Sequence, residues 1–152
     1  MEMLTGALQL ASEYGFRVHP LVPQQKRPLL TGWPELATTD EATITEWWTT
    51  WPNANVGIAT GAASGIVVLD VDPKNGGAES LERLKQDATD WPDTMTVLTG
   101  SGGLHFYFAY QAGLRNLNSE LGPGLDIKTD RGQVVAPPSI HPNGNRYEWL
   151  TQ

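Results

Sequence analysis

GIVVLDVDPKNGG, Gly65 to Gly77, ends an otherwise apolar run in two aspartates and then breaks into proline, lysine, asparagine and paired glycine. Residues two apart on a strand share a face at a spacing of roughly 6.6 Å. Asp70 and Asp72 are therefore expected to project together while Val67, Leu69 and Val71 pack behind them. An ionised carboxylate in a buried strand costs several kcal/mol unless a cation meets it. A strand running out into solvent would satisfy both aspartates with water. Alternatively, two carboxylates that close on one another share cations, and hard oxygen ligands on a rigid strand suit Mg²⁺ or Mn²⁺.

Working outward, ANVGIATGAASGIVVLDVD (54–72) holds two β-rich runs split by Gly-Ala-Ala-Ser-Gly, which predicts neighbouring strands joined by a tight connection. Upstream, Leu4, Ala7, Leu8, Ala11 and Tyr14 recur at helical spacing, Gly15 stops that helix, and FRVHPLV reads as a short strand. The proline-rich stretch from Pro23 to Asp40 reads as a long loop, a place where function concentrates. Thr39 or Asp40 then caps a helix with Ile44, Trp47 and Trp48, closed by Trp51-Pro52.

Downstream, Asn75 or the glycines open a third helix through Glu79, Leu81, Leu84 and Lys85. TMTVLTG, LHFYFAY, LDIKT, QVVAPPS and RYEWL follow as strands. Helices early and strands late predict an α+β fold around a central mixed or antiparallel sheet.

The chain has 152 residues and 39% hydrophobic content, the size of one ordinary domain, so residues 1–152 are read as a single unit. The absence of cysteine excludes disulfides, zinc–thiolate sites and thiol nucleophiles, leaving any metal to oxygen or imidazole. No run of eighteen apolar residues and no basic leader is present, so a cytoplasmic protein without a membrane partner is expected. A net charge of −7 argues against gripping nucleic acid by overall charge, and any such hold must be local.

Two further constellations accompany the aspartate pair. In TGSGGLHFYF (99–108), Ser101, Gly102 and Gly103 offer a hydroxyl and backbone N–H groups, the ingredients of an anion-binding nest. His105 and Tyr107 there face away from Leu104, Phe106 and Phe108. A lone strand histidine is more often structural than a ligand contact. In GLDIKTDRGQVVAPPSIHPNG (124–144), Asp126 and Lys128 share a face, which fits either a third metal-binding carboxylate or a charged hairpin rim. His19 and His141 read as structural, neither having a partner at metal spacing.

Taken in order, KRPLLTGW, NVGIATG, LDVD, SGGLHFYF and LDIK with VVAPPS resemble the primase-polymerase branch of the archaeo-eukaryotic primase superfamily, over nearly the whole chain. The resemblance implies an RNA-recognition-motif-like sheet beside a smaller α/β unit, with the site in the cleft between them. It implies a template-dependent nucleotidyltransferase, a DNA primase/polymerase found in phages, plasmids and other mobile elements. Such an enzyme joins nucleoside triphosphates to a 3′-hydroxyl on a DNA template and primer, using two divalent cations.

By the same resemblance, Asp70, Asp72 and Asp126 correspond to the metal-holding catalytic carboxylates. Ser101, Gly102, Gly103 and His105 correspond to the nucleotide-binding motif, and Lys128 falls where a basic residue neutralises the triphosphate. Ser139 is a candidate sugar or phosphate contact, and Pro137-Pro138 a candidate cis bond. Lys26, Arg27, Trp33 and Arg131 are candidate template or phosphate contacts. Family members commonly continue into a helical accessory domain and often a helicase, which here would be supplied elsewhere.

Two rival classes fit parts of the pattern. A metal-dependent glycosyltransferase also uses an Asp-x-Asp pair, though it leaves SGGLH and the third aspartate unexplained. A non-catalytic nucleotide- or nucleic-acid-binding module would keep the sheet without the metals.

Overall fold

The computed structural model describes residues 2–88 and 90–152. Its helices are α1 (Glu2–Tyr14), α2 (Trp33–Leu36), α3 (Glu41–Thr50) and α4 (Gly77–Asp87). Its strands are β1 (Val18–Leu21), β2 (Asn55–Ala59), β3 (Ile66–Val71), β4 (Thr96–Leu98), β5 (Leu104–Ala109), β6 (Leu117–Asn118), β7 (Leu125–Lys128), β8 (Gln133–Ala136) and β9 (Glu148–Thr151). A 3₁₀ turn, Pro73–Asn75, links β3 to α4. Asp40 caps α3 as its sequence suggests, its carboxylate accepting from the Thr43 N–H. Gly76, in a left-handed conformation, opens α4.

The strands form two sheets, one of three strands in the order β1-β2-β8 and one of six in the order β6-β7-β3-β5-β4-β9. Every pairing between named strands is antiparallel, so the expected α+β class holds and its sheet alternative resolves to antiparallel. One expectation fails. β2 and β3 do not pair as neighbours but lie in different sheets, joined only by a bridge between Gly61 and Ile66 at the start of β3. The glycine-bounded connection carries the chain from one layer to the other instead of folding it back, because both strands are apolar on both faces and each can be central in its own sheet.

The alternation of β3 explains how the layers stack. Leu69 and Val71 join Phe106, Leu125 and Leu81 of α4 in one apolar cluster. Ile66 and Val68 face the other way, into a larger core with Val97, Tyr107, the residues of β1, β2 and β8, and Ile44 and Trp48 of α3. The six-stranded sheet is thus covered by α4 on one face and by the smaller unit on the other. Asp70 belongs to the parity of Ile66 and Val68 and so points toward the smaller unit.

Candidate active site

In β3, Asp70 is paired with His105 of β5 on one side and with Asp126 of β7 on the other. His105 is in turn opposite Val97, and Asp126 opposite Asn118 of β6. Directly opposed residues of antiparallel strands put their side chains on one face, so His105, Asp70, Asp126 and Asn118 form one row across four strands. Lys128, two residues beyond Asp126, shares that face and is paired with Val68. Three residues distant in sequence therefore meet because three strands are in register.

A cavity of about 520 Å³ opens beside this row and is lined by its His105, Asp70 and Asn118 but not by Asp126. Asp70, His105, Asn118 and Lys128 line it from the large sheet, Gln133, Val134 and Val135 from β8 of the small sheet, and Lys26 and Trp33 from the loop after β1. The space is bordered by strands of both sheets.

The electrostatics centre on Asp70. Its side chain is 31% exposed, and that of His105 only 7%. Desolvation alone would raise the Asp70 carboxyl, but His105, whose Nε2 stands 3.5 Å from Oδ1, together with Lys128 and Lys26, outweighs it and holds the carboxyl below the usual aspartate range. The other ring nitrogen of His105, Nδ1, is buried with no hydrogen-bond partner among the described residues. The Asp126 Oδ1 accepts from the Ser119 N–H at 3.0 Å. Two carboxylates held side by side in a sheet repel unless a cation lies between or beside them. That donor set, anionic oxygen on rigid strands, fits a hard divalent ion.

Asp72 is placed differently from Asp70. β3 ends at Val71, and Asp72 caps the 3₁₀ turn, with Oδ1 accepting from the Lys74 N–H and Oδ2 from the Asn75 amide. Each oxygen keeps a lone pair free of these bonds. Among the described residues, no three His, Asp or Glu side chains converge on one point as a metal cage.

The turn at 99–103 is also more closed than its composition suggests. The Gly102 N–H donates to the Thr99 carbonyl, the Gly103 N–H to the Thr99 hydroxyl, and the Ser101 hydroxyl shares a contact with that same hydroxyl. Two of the N–H groups of the supposed nest are thus spent inside the turn. Ser139 is fully buried and does not line the cleft; its hydroxyl accepts from Val56 N–H and donates to Val56 O. The Pro137–Pro138 bond is cis, but Pro138 packs against Gly6 of α1 instead of flooring the cleft.

In the stretch read as a long loop, Lys26 and Trp33, the latter opening α2, line the cleft while Arg27 is exposed outside its lining. Arg131 lines the cleft and donates to Glu35 of α2 at 2.7 Å. Asn118, Tyr147 and Gln133 are among the lining residues not singled out in the sequence. Asn118 lies on a two-residue strand too short for any periodicity. Tyr147 precedes β9, and its ring centroid is 6.4 Å from that of His105. Burial, then the nearby Asp70 charge, push the Tyr147 hydroxyl up out of the ordinary range, so it stays a neutral donor. Gln133 joins the cleft wall to the loop by donating to the Lys26 carbonyl at 3.0 Å.

A family model described as bifunctional DNA primase/polymerase, N-terminal, matches residues 7–152. The chain belongs to the Prim-Pol family. No curated protein matches it. As a Prim-Pol domain it carries a primase/polymerase family role, with DNA and nucleotides as the substrates that role implies. The glycosyltransferase alternative finds no support in that match. None of the helices among the described residues is long and apolar enough to cross a membrane.

Proposed function

We propose that this Prim-Pol domain is a template-dependent nucleotidyltransferase that extends a 3′-hydroxyl with nucleoside triphosphates, and that the row His105–Asp70–Asp126 is its reaction centre. The observation that carries the reading is the register that sets Asp70 opposite both His105 and Asp126, with Asp70 and His105 lining a cleft bordered by the cations Lys26, Lys128 and Arg131. Asp70 and Asp126, with Asp72 at the strand end, would hold Mg²⁺ or Mn²⁺. Two protein carboxylates completed by water and phosphate oxygen are a usual setting for Mg²⁺. When bound, a pair of such ions lowers the pKa of the attacking hydroxyl and neutralises charge on the departing pyrophosphate.

The remaining work belongs to the chain's own side chains. His105, held beside Asp70 through Nε2, would share that N–H with a nucleotide phosphate entering the cleft. Lys128 and Lys26 screen the triphosphate charge. The rigid strands keep the attacking oxygen, the α-phosphorus and the leaving oxygen in line; the O3′–P bond forms as the P–O bond to pyrophosphate breaks. In a domain this acidic the cations lining the cleft are Lys26, Lys128 and Arg131, so template affinity should fall steeply with salt.

One observation favours a second reading, a nucleotide-binding module without turnover: among the described residues no three metal-ligating side chains converge. Incubation with Mn²⁺, labelled deoxynucleotides and a primed template separates the two. Primer extension supports the polymerase, and nucleotide binding without extension supports the module.

A further inference from the structure

A second cavity, of about 310 Å³, lies next to the catalytic cleft, and the two share Trp33 and Arg131 in their walls. Its other walls are Pro34, Ala59, Thr60, Ala63 and Asp130. This volume is at the small end of ligand sites. We infer that this cavity receives one unpaired base of a single-stranded template leaving the cleft, stacked on Trp33. The inference deepens the polymerase reading and takes from it only that the cleft holds a nucleic acid strand.

The indole is built as a fixed platform. One face of Trp33 stacks on His19, with ring centroids 4.7 Å apart and planes at 16°. His19 is fully buried, and a Cβ at Gly57 would stand 2.7 Å from its Nε2, so the histidine is wedged between β2 and the indole. Neither of its ring nitrogens makes a well-formed hydrogen bond among the described residues, although the Gln133 side chain lies close enough to act on it. A buried imidazole whose nitrogens are poorly satisfied is a poor choice for stability alone. Its ring does supply a flat support that keeps Trp33 from collapsing inward.

The remaining walls suit a base. Ala59, Ala63 and Pro34 leave width beside the indole, and Thr60 spends its hydroxyl on the Thr129 carbonyl. The Asp130 carboxylate is held by the Ala62 N–H and the Tyr110 hydroxyl. Arg131 on the shared rim pairs with Glu35 on the surface, both side chains more than 60% exposed. Such an exposed pair is worth little, so a backbone phosphate can replace Glu35 at small cost.

The test is binding of a labelled oligothymidylate by fluorescence anisotropy, without metal or nucleotide, over a range of salt. Two variants act independently: Trp33→Ala removes the platform, and Ala63→Leu fills the cavity while leaving the Trp33–His19 stack. Each should weaken binding about five- to 150-fold, the range for losing one base–aromatic stack, with an unchanged salt slope because no phosphate contact is lost. Trp33→Phe should retain most of the affinity. A third readout uses no variant: an oligonucleotide with abasic sites should bind the wild-type protein more weakly than the intact one, and should not distinguish Ala63→Leu from wild type.

Wild-type affinity in both variants, equal binding of abasic and intact strands, or no measurable binding by the wild type overturns the inference. Failure of the polymerase reading has a different signature, namely intact base-dependent binding with no primer extension.

Discussion

Asp70 and Asp126 are directly opposed across β3 and β7, the arrangement in which two like charges cost a sheet stability. Lys128 on the same face, His105 on the far side of Asp70 and Lys26 from the loop offset part of that repulsion. A fold selected for stability alone would not keep the pair. Under the proposed function, a bound cation and an anionic substrate would relieve that repulsion.

The first prediction follows from that repulsion. Asp126→Asn keeps an oxygen for the Ser119 N–H while deleting one charge, so the folded protein should gain about 0.2–1 kcal/mol, read in chemical denaturation. Primer extension should fall by at least about 10²-fold, the scale of losing one charge-stabilising group. Mn²⁺ should raise the melting temperature of the wild type more than that of the variant, because an ion held by the native state stabilises it by mass action. Equal Mn²⁺ shifts in the two proteins would remove Asp126 from the metal site.

His105 should act on nucleotide binding more than on the metal. A hydrogen bond to a charged group contributes about 1.5–3 kcal/mol, so His105→Ala should raise the nucleotide KM by about 10- to 150-fold. The Mn²⁺ concentration for half-maximal extension should move far less. An unchanged KM would take the phosphate-contact role away from His105.

Much of this site could be read from single strands, and what could not depends on register. The alternation in IVVLDV fixes which face Asp70 takes, and LHFYF does the same for His105; both parities agree with the packing. Asp72 lies one step past the end of β3, where the backbone bends into the 3₁₀ turn and strand parity stops governing direction. The supposed nest at 101–103 is an arrangement in which composition names the donors while the turn geometry decides where they point. The separation of β2 from β3 into two sheets is likewise invisible locally, since either pairing satisfies two apolar runs around a glycine turn.

His19 makes stability depend on pH. Burial lowers its pKa from 6.5 to about 4, with the Gln133 side chain pulling weakly the other way. The folded state therefore binds the proton less readily than the unfolded chain. Its neutral form is fully favoured above about pH 6.5, and stability is lost as pH falls from there toward 4. The loss should reach about 3 kcal/mol, at 1.36 kcal/mol per pKa unit. His19→Phe keeps a flat ring under Trp33 and should remove this component, flattening the stability profile between pH 6.5 and 4. A wild-type and a variant profile of equal slope would show that His19 takes up its proton without opening the fold.

The support beneath Trp33 can be tested from its other side. Gly57 of β2 has no side chain where a Cβ would come 2.7 Å from His19 Nε2 and 2.8 Å from Gln133 Oε1. Both neighbours are interior groups, so an added methyl cannot be absorbed by a solvent-exposed tip. Gly57→Ala should destabilise the protein by about 1–3 kcal/mol, the range for overpacking a filled core. The strain has a directed consequence. His19 moves toward Trp33, and Gln133 moves against the Lys26 carbonyl it holds, so two cleft residues shift while Asp70, His105 and Asp126 keep their register. Extension by Gly57→Ala should accordingly show a raised KM for template and nucleotide, with a kcat within a few-fold of wild type at a temperature where the variant remains folded. A kcat that collapses while KM holds would mean that the smaller sheet positions the reacting groups themselves, beyond shaping the wall opposite them.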